Sequence, residues 1–224
     1  MTFLKDSLES EPIHKDEKMH LYTFTEAPNP KRLHYFLSIK NIEIETSQID
    51  LLKKENLEES FLAINKLGTV PALVLEDQTV LTEVIGICSY LESLYPSKRL
   101  LGESKLEYAE ILSWDHFIFI NLLLPIAEIF RNSHPAFKDR ALPGPNKVAQ
   151  LPELIDRAET RLALNWPMID SQLESRDFLA SETFSLADID LLVCIEFMQW
   201  ALKKPIPSKL SNIESWLARA KTIV

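Results

Sequence analysis

The side chains that could ligate a metal or attack a substrate are five histidines (His14, His20, His34, His116, His134) and two cysteines (Cys88, Cys194). Their separations fit no metal-ligand pattern, so no metal site is expected. No Ser-His-Asp or Cys-His arrangement can be written either. Both cysteines fall in apolar, helix-like stretches and read as buried thiols, and a reducing cytoplasm is the expected compartment. The four glycines, at 68, 86, 102 and 144, stand alone, which excludes a phosphate loop or a dinucleotide fingerprint. What remains is a set of short polar signals. Ser185 and Asp188 have the S-x-x-[DE] spacing of a capping box, a folding device rather than a catalytic one. Asn29-Pro30 reads as an N-cap followed by the first helical residue. In that geometry the Asn29 carbonyl oxygen caps Lys31 or Arg32, and its NH2 points outward as a donor. Val70-Pro71 opens a hairpin, and Glu83 stands at a strand-to-helix junction.

The elements that must position these residues can be read from periodicity. His20–Thr25 alternates as a strand, and the helix after Pro30 carries Leu33, Phe36 and Leu37 on one face. A second strand is expected over about Ile42–Ile49, then a short helix around Phe61–Asn65. The hairpin arms are Ala72–Leu75 and Thr79–Leu81. A helix follows with Val84, Ile87, Cys88, Leu91 and Leu94 on one face. The order is βαβαββα. Residues 1–18 are charged and aperiodic and read as a leader, 19–95 as the mixed domain and 96–105 as a linker. Residues 106–224 form an all-helical domain, its helices expected over 106–132, 152–174, 186–202 and from 213 onward. Pro125 and Pro167 fall inside helical patterns and are expected to kink or split them. Of the 224 residues 46% are apolar and 25% charged, which excludes disorder for most of the chain. The net charge of −9 argues against a broad basic surface for nucleic acid. The most apolar stretch, 117–130, is broken by Asn121, Pro125 and Glu128 and reads as too short and polar to span a bilayer.

Several strings together resemble the cytosolic glutathione transferases. They are Phe61-Leu62-Ala63-Ile64-Asn65, Leu67-Gly68, Val70-Pro71, Leu81-Thr82-Glu83 and Ile87-Cys88-Ser89-Tyr90-Leu91. Tyr22-Thr23-Phe24 through Ala27-Pro28-Asn29-Pro30-Lys31-Arg32 is similar to the first strand and catalytic loop of bacterial members, and Ser185–Ile189 to the family's buried capping box. The resemblance implies a thioredoxin-like βαβαββα domain followed by an all-helical domain. It implies glutathione as co-substrate, with no other cofactor, and a small hydrophobic electrophile. It also implies a homodimer built on the helices near Ile87–Leu94 and Leu106–Phe119. Thr69, Val70 and Pro71 would hold the cysteinyl part of glutathione, with the Val70-Pro71 bond cis. Glu83 and Val84 would hold its γ-glutamyl end, although Val84 replaces the family's usual serine and removes one hydroxyl donor. Phe117, Asn121 and Phe130 would line the electrophile pocket.

The catalytic loop departs from the family pattern. Ala27 stands where a serine, cysteine or threonine donor is usual, and no C-x-x-C occupies residues 27–30. Tyr22 is one register away from the family tyrosine and is expected on the opposite strand face. Asn29 is the expected thiolate donor, with Thr25 in reserve. Ala27 and Val84 leave two rival readings open: a non-catalytic binding or interaction module, and a glutathione-dependent reductase of small disulfides.

Overall fold

A computed structural model describes residues 18–224, so nearly all of the expected leader lies outside the described residues. Strand β1 (His20–Thr23) leads through a turn to helix α1 (Pro28–Lys40) and strand β2 (Glu45–Gln48). Helix α2 (Glu59–Leu62), the hairpin β3 (Ala72–Val74) and β4 (Val80–Leu81), and helix α3 (Val84–Leu94) complete the first part. The sheet order is β2-β1-β3-β4, with β1 and β2 parallel and the other pairs antiparallel. This is the expected βαβαββα arrangement. The strands are shorter than periodicity suggests: β1 stops at Thr23, because the Phe24–Ala27 turn, closed by Ala27 N–H to Phe24 C=O at 2.9 Å, takes the chain off the sheet.

Alternation along β1 decides which face is packed. Leu21 and Thr23 are fully buried, Leu21 in one core with Leu33 and Phe36 of α1, Leu73 of β3 and Ile87 and Leu91 of α3. Tyr22 points the other way, edge-on to Phe61 of α2 with ring centroids 6.0 Å apart.

The remainder is helical: α4 (Lys105–Ile118), α5 (Leu124–Ser133), α6 (Glu153–Gln172), α7 (Leu186–Leu202) and α8 (Ser211–Ala220). A π-helical stretch, Phe119–Leu123, joins α4 to α5, so 105–133 is one rod. Pro125 explains the wider turn. It has no N–H to give to the preceding turn, and Arg161 Nη1 instead donates to the Ile120 carbonyl at 3.4 Å. Helix α6, in contrast, runs unbroken through Pro167. The rod's 29 residues are long and apolar enough, by length and composition, to cross a membrane, which corrects the reading taken from 117–130 alone. Its apolar side chains Ile111, Ile118, Leu122, Ile126 and Ile129 are instead buried among the other helices.

Two polar devices hold the helical part. At the start of α7 the Asp188 carboxylate accepts from the Ser185 N–H (3.0 Å) and hydroxyl (2.8 Å), forming the expected capping box. It also accepts from the Leu179 N–H (3.0 Å) and the Trp216 indole N–H (2.8 Å). The other device ties down the linker. Lys40 Nζ meets Glu92 Oε2 at 2.6 Å and donates to the Ser97 carbonyl, while Glu92 Oε1 accepts the N–H groups of Leu100 and Leu101.

Candidate functional site

Strand directions bring three chain segments to one end of the sheet. Tyr22 pairs with Ala72 and Leu73 with Leu81. The C-terminal end of β1, the N-terminal end of β3 and the C-terminal end of β4 therefore lie side by side. The Phe24–Ala27 turn with the start of α1, the Thr69-Val70-Pro71 segment, and Glu83 with the start of α3 all emerge there.

The Val70-Pro71 bond is cis. Among the described residues neither the N–H nor the C=O of Val70 has a protein partner. The loop before it is held by two buried asparagines. Asn56 Nδ2 donates to the Gly68 carbonyl at 2.7 Å, and Asn65 Nδ2 donates to the Thr69 carbonyl at 2.8 Å and its hydroxyl at 3.1 Å. Gly68 has φ of +61°, and a Cβ there would stand 3.0 Å from the Asn56 carbonyl oxygen, so a side chain at this position would be both strained and crowded. The sequence reading missed Asn56 as a support. The signal was present in two asparagines that precede a lone glycine.

Glu83 is the N-cap residue of α3, exposed, and its side chain caps no backbone N–H. Val84 is buried as the first helical residue. The first turn of α3 thus has no side-chain cap and starts beside an exposed carboxylate, a combination that suits a ligand end carrying both an anion and a cation.

The start of α1 corrects one expectation. Asn29 is not the N-cap: Ala27 is, in extended geometry (φ −83°, ψ 146°), and Pro28 is the first helical residue. A residue before proline is pushed out of the helical region, so the first of the two prolines sets the boundary. The Lys31 N–H bonds to the Ala27 carbonyl at 3.0 Å rather than to Asn29. Because Pro28 and Pro30 lack N–H groups, Asn29 is the only one of the first three helical residues with a backbone donor. Its side-chain Oδ1 accepts from Arg32 Nη1 at 3.2 Å.

Arg32 is buried, with Nε and Nη2 on the Asp190 carboxylate at 2.6 and 2.5 Å and Nη2 also 3.0 Å from Asp115 Oδ1. The Phe119 ring lies 5.6 Å from the guanidinium. Burial pushes the Asp190 carboxyl well above the usual range. Arg32 opposes that rise, and the neighbouring Asp115 carboxylate adds to it. Beside this cluster the Cys88 and Cys194 thiols are free, buried and pushed up by burial, hence unreactive. On the outer side of α1, Lys31 Nζ meets Glu196 at 2.6 Å and the Tyr35 hydroxyl donates to the same carboxylate.

Thr25 is exposed, and its hydroxyl donates to Gln48 Oε1 at 3.2 Å. Thr23 is buried against His34, Oγ1 to Nε2 at 3.0 Å. Of the residues expected to wall a pocket, Phe117 packs edge-on to Trp114 and Asn121 donates back to the Phe117 carbonyl. Phe130 belongs to a separate aromatic group with Phe137, Phe197 and the exposed Trp200. The structure therefore does not bring Phe117 and Phe130 into one ring cluster. It adds Phe119, whose ring lies beside Arg32.

Residues 27–94 match the family model "Glutathione S-transferase, N-terminal domain", and residues 119–221 match "Glutathione S-transferase, C-terminal domain". Glutathione S-transferase 2 of Saccharomyces cerevisiae is 28% identical over 206 residues, covering 91% of this chain and 85% of that one. Glutathione S-transferase GST-4.5 of Xanthomonas campestris is 32% identical over 165 residues, covering 71% and 72%. The crystal structure of Gtt2 from Saccharomyces cerevisiae superposes with a TM-score of 0.81 at 25% identity, covering 92% of this chain and all of that one.

Proposed function

The chain belongs to the glutathione S-transferase family, and from that premise we propose that it adds the thiolate of glutathione to a small hydrophobic electrophile. The observation that carries this reading is the gathering, at one end of the sheet, of three unsatisfied polar features. Val70 offers a free N–H and C=O to an extended peptide. The uncapped start of α3 offers N–H groups to a carboxylate, and Glu83 offers an anion to an ammonium. Asn29 offers its backbone N–H and its NH2 at the start of α1. A γ-glutamyl peptide bound across Thr69, Val70, Pro71, Glu83 and Val84 brings its thiol toward Asn29.

In the reaction so written, the thiol proton leaves to solvent and the sulfur's electron pair forms one bond to the electrophilic carbon, which in turn releases a leaving group with its bonding pair or opens a π bond and takes up a proton from solvent. The protein lowers the thiol pKa and positions the two reactants. Residues 19–95 hold glutathione. Residues 106–224 supply the electrophile wall, with Phe119 next to Arg32 and Phe117 and Asn121 on the same rod. Thr25, bound to Gln48, is the weaker donor candidate. Leu106 and Tyr108, exposed on α4, fit a homodimer interface, and two free buried thiols fit a cytoplasmic protein.

A screen of electrophiles and small disulfides with glutathione, run beside a binding titration, tests the proposal. Saturable conjugation at neutral pH supports it. Tight glutathione binding with no turnover points to the non-catalytic module that Ala27 favours, and turnover of disulfides alone points to the reductase.

A further inference from the structure

We infer that Arg32, clamped by Asp115 and Asp190 of the helical part, is a positioning residue that fixes the side-chain amide of Asn29 with its NH2 toward the bound thiol. This inference rests on the reading that glutathione binds at the sheet end with its sulfur near Asn29. The argument starts from the donor inventory. A guanidinium has five N–H donors and no acceptor, so a neighbouring amide can meet it only through its carbonyl oxygen. Arg32 Nη1 does so at 3.2 Å to Asn29 Oδ1. The Asn29 NH2 is thereby turned away from Arg32, and among the described residues it has no acceptor.

The guanidinium cannot rotate to release that contact. Its Nε and Nη2 are held by both oxygens of Asp190 and its Nη2 also by Asp115, and all three side chains are buried. The planar fork fixes the two N–H directions of Nη1, and Asn29 Oδ1 lies along one of them. Asp115 belongs to α4 and Asp190 to α7, while Asn29 and Arg32 are one turn apart on α1. The helical part therefore sets the orientation of a donor that the sheet part presents. A lysine could neutralise the carboxylates, but it lacks the fork needed to reach Asn29 as well.

The test is an ultraviolet titration of the thiolate of glutathione bound to the full chain, for wild type, Asn29→Ala, Arg32→Lys and the double variant. A hydrogen bond to a charged group shifts the thiol by about one to two pKa units. Asn29→Ala is expected to raise the bound thiol's pKa by that amount. Arg32→Lys is expected to raise it by a comparable amount, and the double variant no further than either alone. Should Arg32→Lys fail to fold, the charge-balanced pair Arg32→Met with Asp190→Asn replaces it in the same comparison. An Arg32 variant that melts at a lower temperature but leaves the thiol pKa at the wild-type value overturns the positioning role and leaves a structural clamp. Additive shifts in the double variant overturn it too, because Arg32 then acts on the thiol without Asn29. If Asn29→Ala itself leaves the thiol pKa unchanged, the underlying reading of Asn29 fails instead.

Discussion

Replacing Asp188 by alanine is the perturbation whose cost the structure defines best. The sequence offers a capping box, whose loss costs about 1–2 kcal/mol. The structure raises that figure, because the carboxylate also holds the Leu179 N–H and the Trp216 indole N–H. Alanine leaves three buried donors without partners, those of Leu179, Ser185 and Trp216, since only the Ser185 hydroxyl is free to turn elsewhere. At about 1–3 kcal/mol for each unsatisfied buried donor, the loss is roughly 3–9 kcal/mol. Ending the desolvation of the carboxylate returns several kcal/mol and leaves a net loss of about 1–5 kcal/mol, a large fraction of a typical stability of about 5–15 kcal/mol. Asp188→Asn is expected to cost about half as much. Its oxygen still accepts from Leu179 and Trp216, while its NH2 faces the Ser185 donors. The effect has a sign in pH. Burial raises the Asp188 carboxyl, and the hydrogen bonds only partly counter that. A carboxyl raised in the folded state contributes stability that is fully present below the unfolded value of about 3.9 and is lost as pH rises through the folded pKa. The gap between wild type and Asp188→Ala is therefore widest at the acid end. Equilibrium urea unfolding followed by tryptophan fluorescence measures it. A loss below about 1 kcal/mol would refute the reasoning, since it would mean that the orphaned donors find water.

Glu83→Ala is expected to weaken glutathione at least tenfold, about 1.4 kcal/mol, with an unchanged melting temperature, as read by calorimetric titration. Sedimentation is expected to give a dimer of the 25.7 kDa chain, with Leu106→Glu shifting it toward monomer; a concentration-independent monomer in the wild type contradicts the interface on α3 and α4. His34, half-buried on Thr23, has its pKa lowered by burial, so its neutral form contributes stability that is present above about 6.5 and lost as pH falls through the folded value. Wild type is therefore expected to lose stability relative to His34→Gln between pH 7.5 and 5, and parallel curves would show that the imidazole is not desolvated.

Much of this protein was legible in the residues. The βαβαββα order followed from period-two and period-3.6 apolar patterns, because burying one face of each element is a local requirement written in consecutive side chains. The Ser185–Asp188 box was legible for the same reason, since both partners lie within one helical turn. Resemblance supplied Val70-Pro71 and Glu83 as candidates, and strand pairing then put them at one end of the sheet. Other features depended on residues far apart in the chain. Two prolines could each have opened α1, and only the folded turn at Phe24–Ala27 made Ala27 the cap and Asn29 an interior residue of the first turn. Nothing adjacent in the chain marks Arg32 for burial, which needs Asp115 and Asp190, 83 and 158 residues away. Lys40 and Glu92, 52 residues apart, likewise pair only in the folded chain. A lone charge on a helix is cheapest in water, so sequence logic leaves it there. Only the packing of α1 against its neighbours supplies the opposite charges that make burial tolerable, Glu92 of α3 for Lys40 and Asp115 of α4 and Asp190 of α7 for Arg32, and the Arg32 contacts decide which way the Asn29 amide faces.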